Sequence, residues 1–170
     1  KIDYIIHAAG IASPFYYRAN PMETLDVAIN GTKLMLELAK KNHARFIFFS
    51  SSEIYGDPDP KNIPTKESYL GNVSSIGPRA CYDESKRFSE TLCYLYSKQY
   101  DMPISMVRPC NNYGPGMSLE DKRVPADFAK SIKNDKDITI FSDGTPTRTF
   151  CYVSDAIVGY LKALTFKSFE

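Results

Sequence analysis

Apolar positions along the chain form short continuous runs separated by longer stretches of helical spacing. Residues 4–10 open with a Tyr-Ile-Ile run and end on small residues, which predicts a strand buried on both faces. Similar runs predict strands at 46–49, 104–107 and 138–141. Strands that alternate with crossover helices indicate an α/β fold with a parallel sheet and right-handed connections.

The stretches between these runs carry the helical pattern. Apolar residues recur every three to four positions after Pro21, and the pattern ends at two lysines, which predicts one long amphipathic helix. Residues 57–79 contain four prolines and two glycines, which indicates a loop. The predicted helices are 21–41, 82–100, 125–132 and 154–164.

Composition narrows the class of protein. The chain has 170 residues, of which 43% are hydrophobic and 24% charged, as in a globular protein of about one domain. A formal net charge of +1 leaves no broad field for nucleic acid or an anionic membrane, so neither is an expected partner. We find no apolar run long enough for a membrane span and no leader segment, and we expect a cytoplasmic protein.

The cysteines and the first residue bear on the origin of the chain. The four cysteines, at positions 81, 93, 110 and 151, lack the paired short spacing of a zinc site, so we expect reduced thiols and no metal. A first residue other than Met indicates a trimmed or excised segment.

Candidate chemistry lies in the helix predicted at 82–100. Tyr82 and Lys86 are four residues apart, so both project from one helix face, where the ammonium makes the phenol easier to ionise. A Tyr-x-x-x-Lys pair alone is usually an ordinary surface feature. Here Ser51, Ser52 and Glu53 follow a predicted buried strand, where a hydroxyl could hold the substrate oxygen that Tyr82 deprotonates.

The ordered motifs of the chain resemble the extended short-chain dehydrogenase/reductase family, the nucleotide-sugar epimerases and dehydratases. This resemblance implies a Rossmann-like, doubly wound parallel sheet with NAD as cofactor. Within the family, residues 76–87, Tyr17, residues 114–117 and residues 147–150 are most similar to the UDP-glucuronate decarboxylases. The motifs are His7-Ala8-Ala9-Gly10, Asn30-Gly31-Thr32, 50–56, 82–86 and 108–115.

The resemblance also implies roles for single residues. The implied cofactor-binding residues are Ala8, Ala9, Gly10, Asn30, Tyr82, Lys86 and Pro109. The implied substrate-binding residues are Tyr17, Asn111, Arg123 and Arg148, of which Asn111 and Arg123 match positions that hold the nucleotide diphosphate.

The reaction implied by the resemblance begins with oxidation at C4 of a sugar. Tyr82 would take the proton of the 4-hydroxyl, and Lys86 would hold the nicotinamide ribose and favour the tyrosinate. The C4 ketone is β to the C5 carboxylate, so carbon dioxide can leave and form an enolate that Ser51 and Tyr82 stabilise. The other implied catalytic residues are Ser52 and Glu53, near C5, and Arg148, which steers the carboxylate or the developing ketone.

Two alternatives to a decarboxylase stay open. A 4-epimerase or 4,6-dehydratase would act on another nucleotide sugar without releasing carbon dioxide. Ser52 stands where TDP-glucose dehydratases have an Asp that acts as the acid, which argues against that dehydration, but GDP-mannose dehydratases also use a Ser-Glu pair. A catalytically silent binding module of the same fold is the other alternative, since fold does not determine function.

The chain departs from the family at its ends. It lacks the Gly-x-x-Gly-x-x-Gly turn that cradles the cofactor pyrophosphate, so we expect a fragment that lacks the first strands and the complete C-terminal substrate region. Such a chain should bind NAD poorly and expose an apolar sheet edge. We assign 1–115 to the NAD-binding domain and 116–170 to the start of the substrate-binding region. The helices at 21–41 and 82–100 resemble the pair through which family members form homodimers.

Overall fold

The computed structural model describes residues 1–166. Two compact units make up the chain: Lys1–Pro109 with Tyr160–Glu170, and Cys110–Gly159. The assignment of 1–115 and 116–170 to cofactor and substrate domains stays a prediction, and its last four residues lie outside the described part.

A three-stranded parallel sheet lies at the centre of the first unit. Its strands are β1 (Tyr4–His7), β2 (Arg45–Phe49) and β3 (Ile104–Val107), in the order β1-β2-β3. Ile5 is in register with Phe46 and Phe48 with Met106. The α/β fold with parallel strands is therefore confirmed.

Helices connect these strands. The helix predicted at 21–41 is a continuous helical stretch of three segments, in which a π-helical turn separates two α-helices, and it ends at His43 in a left-handed conformation (φ 54°). The sequence pattern missed α1, which Pro14 begins after Ser13. The elements are α1 (Pro14–Ala19), α2 (Pro21–Asp26), the π-turn (Val27–Gly31), α3 (Thr32–Asn42), 3₁₀ turns at Ser52–Tyr55 and Pro60–Asn62, and α4 (Ala80–Tyr100).

The core of this unit lies between the sheet and helices α3 and α4. Side chains of the three strands pack there against Leu36 and Cys93, which are fully buried. The prediction that β1 is buried on both faces is wrong, because Tyr4 and Ile6 are each 56% exposed. β1 is an edge strand, and only the face that carries Ile5 and His7 is covered in the described structure.

The second unit contains a two-stranded parallel sheet of β4 (Asn111–Tyr113) and β5 (Phe150–Tyr152). Helix α5 (Val124–Lys133) confirms the helix predicted at 125–132, and α6 (Val153–Thr165) confirms that at 154–164 and continues into the first unit. The strand predicted at 138–141 is wrong, because no strand of the described residues pairs with this segment and Phe141 is 91% exposed. Within residues 1–166 no helix is both long and apolar enough to cross a membrane.

Candidate active site

The carboxyl ends of the three central strands meet at one edge of the sheet. Since β1, β2 and β3 are parallel, the segments that follow them come together there. The backbone N–H of Ser50 donates to the carbonyl of Val107 (2.8 Å), and that of Ser52 donates to the carbonyl of Pro109 (3.1 Å). The predicted Ser-Ser-Glu segment is thereby tied to the end of β3.

Lys86 projects from α4 to the end of β2 and is only 6% exposed. Its Nζ donates to the carbonyl oxygen of Phe49 (2.7 Å) and lies 5.9 Å from the ring centroid of Tyr82. Burial lowers the pKa of Lys86 from 10.5 to about 8. The ammonium is therefore still mostly charged at neutral pH, as a group that favours a nearby phenolate must be.

Tyr82 is 6% exposed, and its ring stacks on that of Tyr17 with centroids 5.0 Å apart and planes 10° from parallel. Tyr17 is 1% exposed, and its hydroxyl is buried with no hydrogen-bond partner among the described residues. Burial raises the pKa of Tyr17, so this phenol stays neutral. The structure thus places the predicted substrate-binding tyrosine directly against the predicted base.

The Ser-Ser-Glu segment forms a tight turn after β2. The side chain of Ser51 accepts a hydrogen bond from the N–H of Glu53 (3.2 Å) and so caps the turn Ser52–Tyr55. The carboxylate of Glu53 pairs with the guanidinium of Arg79, whose Nε lies 3.4 Å from Oδ2 of Asp83. Sequence reasoning missed the roles of Arg79 and Asp83, although their four-residue spacing is that of a helical ion pair.

Two further arginines hold the loop after this turn against α4. Arg108 forms a bidentate pair with Glu90 (2.9 and 2.8 Å) and donates to the hydroxyl of Tyr55 (2.9 Å). Arg87 donates to the carbonyl oxygens of Ile54 (2.8 Å) and Leu70 (2.9 Å). Each contact joins residues at least 17 positions apart, so these two arginines add long-range contacts to the hydrogen bond between Asp57 N–H and the carbonyl of Asn72 (3.0 Å) within the loop.

Gly10, a predicted cofactor-binding residue, lies beside Lys86. A Cβ on Gly10 would lie 3.6 Å from the Lys86 Nζ. His7 is buried, its Nε2 lies 3.0 Å from the hydroxyl of Thr32, and burial lowers its pKa, so it is a neutral structural residue at the end of β1.

The other predicted cofactor residues occupy the loop edges of the first unit. Ala8 and Ala9 are exposed directly after β1, and Asn30 is exposed on the π-turn, where its amide donates to Asp26 (2.6 Å). Pro109 contributes its carbonyl oxygen to the hydrogen bond with Ser52 described above.

The remaining predicted residues belong to the second unit. The Asn111 amide donates to the carbonyl of Thr149 (2.9 Å), which joins the ends of β4 and β5. Arg123 pairs with Asp121, two residues earlier, and Arg148 is exposed. Their roles toward substrate stay predictions. Within residues 1–166, no cluster of three or more His, Cys, Asp or Glu side chains could hold a metal ion.

A parallel Rossmann-like sheet, with a buried lysine four residues after a buried tyrosine beside its carboxyl edge, defines a class of nucleotide-cofactor enzymes. The chain belongs to the NAD dependent epimerase/dehydratase family, whose pattern it matches over residues 1–169. The family resemblance inferred from the motifs is therefore confirmed, and NAD is the cofactor of the family.

Among individual proteins, the chain is similar to UDP-glucuronic acid decarboxylases. The chain is 43% identical over 164 residues to UDP-glucuronic acid decarboxylase 6 of Arabidopsis thaliana, covering 96% of the chain and 47% of that protein. It is 44% identical over 159 residues to UDP-glucuronic acid decarboxylase 1 of Xenopus tropicalis, covering 94% and 37%. The chain thus spans about half, or less, of these relatives.

A solved structure supports the same fold. The UDP-glucose 4-epimerase of Thermotoga maritima, solved with UDP-glucose, has a TM-score of 0.86 and 26% identity, covering 96% of this chain and 52% of that one.

Proposed function

We propose that the protein is an NAD-dependent decarboxylase of UDP-glucuronate, which yields UDP-xylose or a 4-keto pentose. The observation that carries the proposal is the buried Tyr82–Lys86 pair beside the Ser51–Glu53 turn, in a chain 43–44% identical to UDP-glucuronic acid decarboxylases. A nucleotide sugar is therefore the expected small-molecule partner.

The first chemical task is to remove the proton of the sugar 4-hydroxyl. Tyr82 is the proposed base, and the Lys86 ammonium, held by the carbonyl of Phe49, favours its phenolate form. When bound, NAD supplies the acceptor for the C4 hydride and later returns it. Lys86, whose Nζ lies beside Gly10, would hold the cofactor ribose.

Decarboxylation follows because the C4 ketone is β to the C5 carboxylate. The C5–C6 bond breaks, carbon dioxide leaves, and the electron pair moves into a C4–C5 enolate. The hydroxyls of Ser51 and Tyr82 would donate hydrogen bonds to the enolate oxygen, and Glu53 with Ser52 would assist protonation at C5. Asn111 and Arg123 are proposed to bind the diphosphate, Tyr17 the substrate, and Arg148 the carboxylate or ketone.

A 4-epimerase or 4,6-dehydratase is the second candidate. It is supported by the UDP-glucose 4-epimerase structure, with which the chain shares its fold at 26% identity. The decarboxylase and the second candidate begin with the same oxidation at C4, and only the decarboxylase releases carbon dioxide.

Tyr82→Phe in the full-length natural protein tests the proposal. A proton NMR time course with UDP-glucuronate and NAD should show the anomeric signal of UDP-xylose, or a 4-keto pentose, for the unsubstituted protein. Loss of the phenolic base should slow this reaction about 10²- to 10⁴-fold. Tyr94→Phe, at an exposed tyrosine of the same helix, is the matched control and should retain the rate.

The outcomes separate the candidate functions. Unchanged UDP-glucuronate together with turnover of another nucleotide sugar, without carbon dioxide, would select the epimerase or dehydratase. No turnover of any nucleotide sugar would select the silent binding module.

A homodimer through 21–41 and 82–100 also stays a proposal. It is supported by exposed apolar side chains on both helical stretches, among them Leu34 (66%), Phe88 (47%) and Leu95 (51%).

A further inference from the structure

Arg79 lies directly before α4 and connects that helix to the turn after β2. Its guanidinium pairs with the carboxylate of Glu53, 26 residues earlier in the chain. Its Nε also lies 3.4 Å from Oδ2 of Asp83, in the first turn of α4. One side chain therefore joins the Ser51–Glu53 turn to the start of the helix that carries Tyr82.

The backbone of Arg79 is tied to the same helix turn. Its carbonyl oxygen accepts hydrogen bonds from the N–H of Tyr82 (3.0 Å) and of Asp83 (3.1 Å), the first bonds of α4. A shift of Arg79 would therefore move Glu53 and Tyr82 relative to each other. Arg87 also pairs with Glu84 of α4 (3.7 Å), but its long-range contacts are to backbone carbonyls, whereas Arg79 contacts the side chain of Glu53.

The ion pairs of Arg79 border a buried polar region. Asp83 is buried, its Oδ1 has no hydrogen-bond partner among the described residues, and burial raises its pKa while Arg79 opposes the rise. The unpartnered hydroxyl of Tyr17 is influenced by the charges of Arg79, Asp83 and Glu53, and the Tyr17 ring stacks on Tyr82. The cluster is therefore continuous with the proposed base.

We propose that Arg79 is a positioning residue, which holds the carboxylate of Glu53 against the first turn of α4 and so sets its place relative to Tyr82. The side chains of Arg79 and Glu53 are 41% and 42% exposed, and an ion pair at that exposure contributes little to stability. Orientation is therefore its role. Arginine suits it because its planar fork contacts two carboxylates in fixed directions, which a lysine cannot do.

The kinetic consequence rests on the proposed function. Arg79→Gln in the full-length natural protein should lower kcat for UDP-glucuronate about 10- to 100-fold, as expected for a misplaced catalytic group, and leave KM unchanged. Arg79→Lys should recover part of kcat, since it retains the charge. Lys61→Gln, which removes an exposed ion pair with Asp59, is the matched control and should retain both constants.

Two kinetic results would overturn the proposal. A raised KM with unchanged kcat would make Arg79 a substrate ligand, and unchanged kcat and KM would leave it no role in the reaction.

A second measurement is independent of activity. In the same protein without substrate, the Nη–H resonances of Arg79, whose Nη2 pairs with Glu53, should shift and exchange faster with solvent in Glu53→Gln, and stay unchanged in the Lys61→Gln control. If no nucleotide sugar is turned over but this coupling is present, the proposed function fails and the positioning of Glu53 by Arg79 stands. Nη–H resonances of Arg79 that do not respond to Glu53→Gln overturn the positioning proposal whatever the activity.

Discussion

The arginines of the two units are held in different ways. In the first unit, Arg79 reaches Glu53, 26 residues away, and Arg108 reaches Glu90 and Tyr55, 18 and 53 residues away. In the second unit, Arg123 pairs with Asp121 and Arg148 donates to the carbonyl of its neighbour Thr147 (2.7 Å). Arg79 and Arg108 therefore make contacts with residues far away in the sequence, whereas Arg123 and Arg148 make these contacts with residues next to them in the sequence.

The first unit also buries more apolar side chains than the second unit. In the first unit, Phe46 and Phe48 are at most 1% exposed within a core that spans sheet and helices. Among the residues of the second unit, only Ala126 and Ala156 are buried. Apolar burial is the main source of stability, so the free energy of unfolding should depend chiefly on the first unit.

Phe46→Ala against Ile140→Ala is the strongest test of this difference. Removal of the fully buried Phe46 ring should lower the free energy of unfolding by about 3–5 kcal/mol. Ile140 is 61% exposed in the second unit, and its truncation should change the free energy by about 0.5 kcal/mol or less. Urea unfolding measures both variants, and equal losses would show that the second unit contributes a comparable core.

The pH dependence of stability in Lys86→Met is the second test of the difference between the units, because the charge of Lys86 is buried in the first unit. Below pH 8 both the folded and the unfolded chain hold the Lys86 proton. As pH rises from about 8 toward 10.5, the folded chain releases it first, so the unfolded state binds more protons and the free energy of unfolding rises. The pKa change from 10.5 to about 8 corresponds to about 3 kcal/mol.

Urea unfolding between pH 7.5 and 10.5 checks this value. The stability of the unsubstituted protein relative to Lys86→Met should increase with pH over this range. Lys98→Met, at an exposed lysine of the same helix, is the control. If the difference in stability between the unsubstituted protein and Lys86→Met does not vary with pH, Lys86 is not desolvated in the folded state.

The sequence predicted best where burial leaves a periodic pattern. β2 is buried on both faces, so its apolar run marked it directly, and α4 shows its helical spacing over five turns. Residues 138–141 have a similar run, but a strand also needs a partner, which a local pattern does not encode. The short strands β4 and β5 lack such a run, since they depend on pairing with each other.

The candidate site was predictable to the same extent. Tyr82 and Lys86 share one helix face, and their spacing pointed to them once the Ser-Ser-Glu segment after β2 was taken into account. The contact of Arg79 with Glu53 depends on how a turn after β2 meets the start of α4, and the stacking of Tyr17 on Tyr82 joins residues 65 positions apart. Tertiary packing sets both contacts, and no periodicity encodes them.

Arg148→Ala should have the smallest effect on stability, and it tests what a locally held arginine is for. The side chain is exposed and donates to its neighbour's carbonyl, so its loss should change the free energy of unfolding by about 0.5 kcal/mol or less. If Arg148 binds the substrate carboxylate, loss of this charge-assisted hydrogen bond, about 1.5–3 kcal/mol, should raise KM for UDP-glucuronate about 10- to 100-fold. Lys133→Ala, at another exposed cation of the second unit, is the control. An unchanged KM would restrict substrate recognition to side chains other than Arg148, whereas a large loss of stability would show that Arg148 makes stabilising contacts beyond the carbonyl of Thr147.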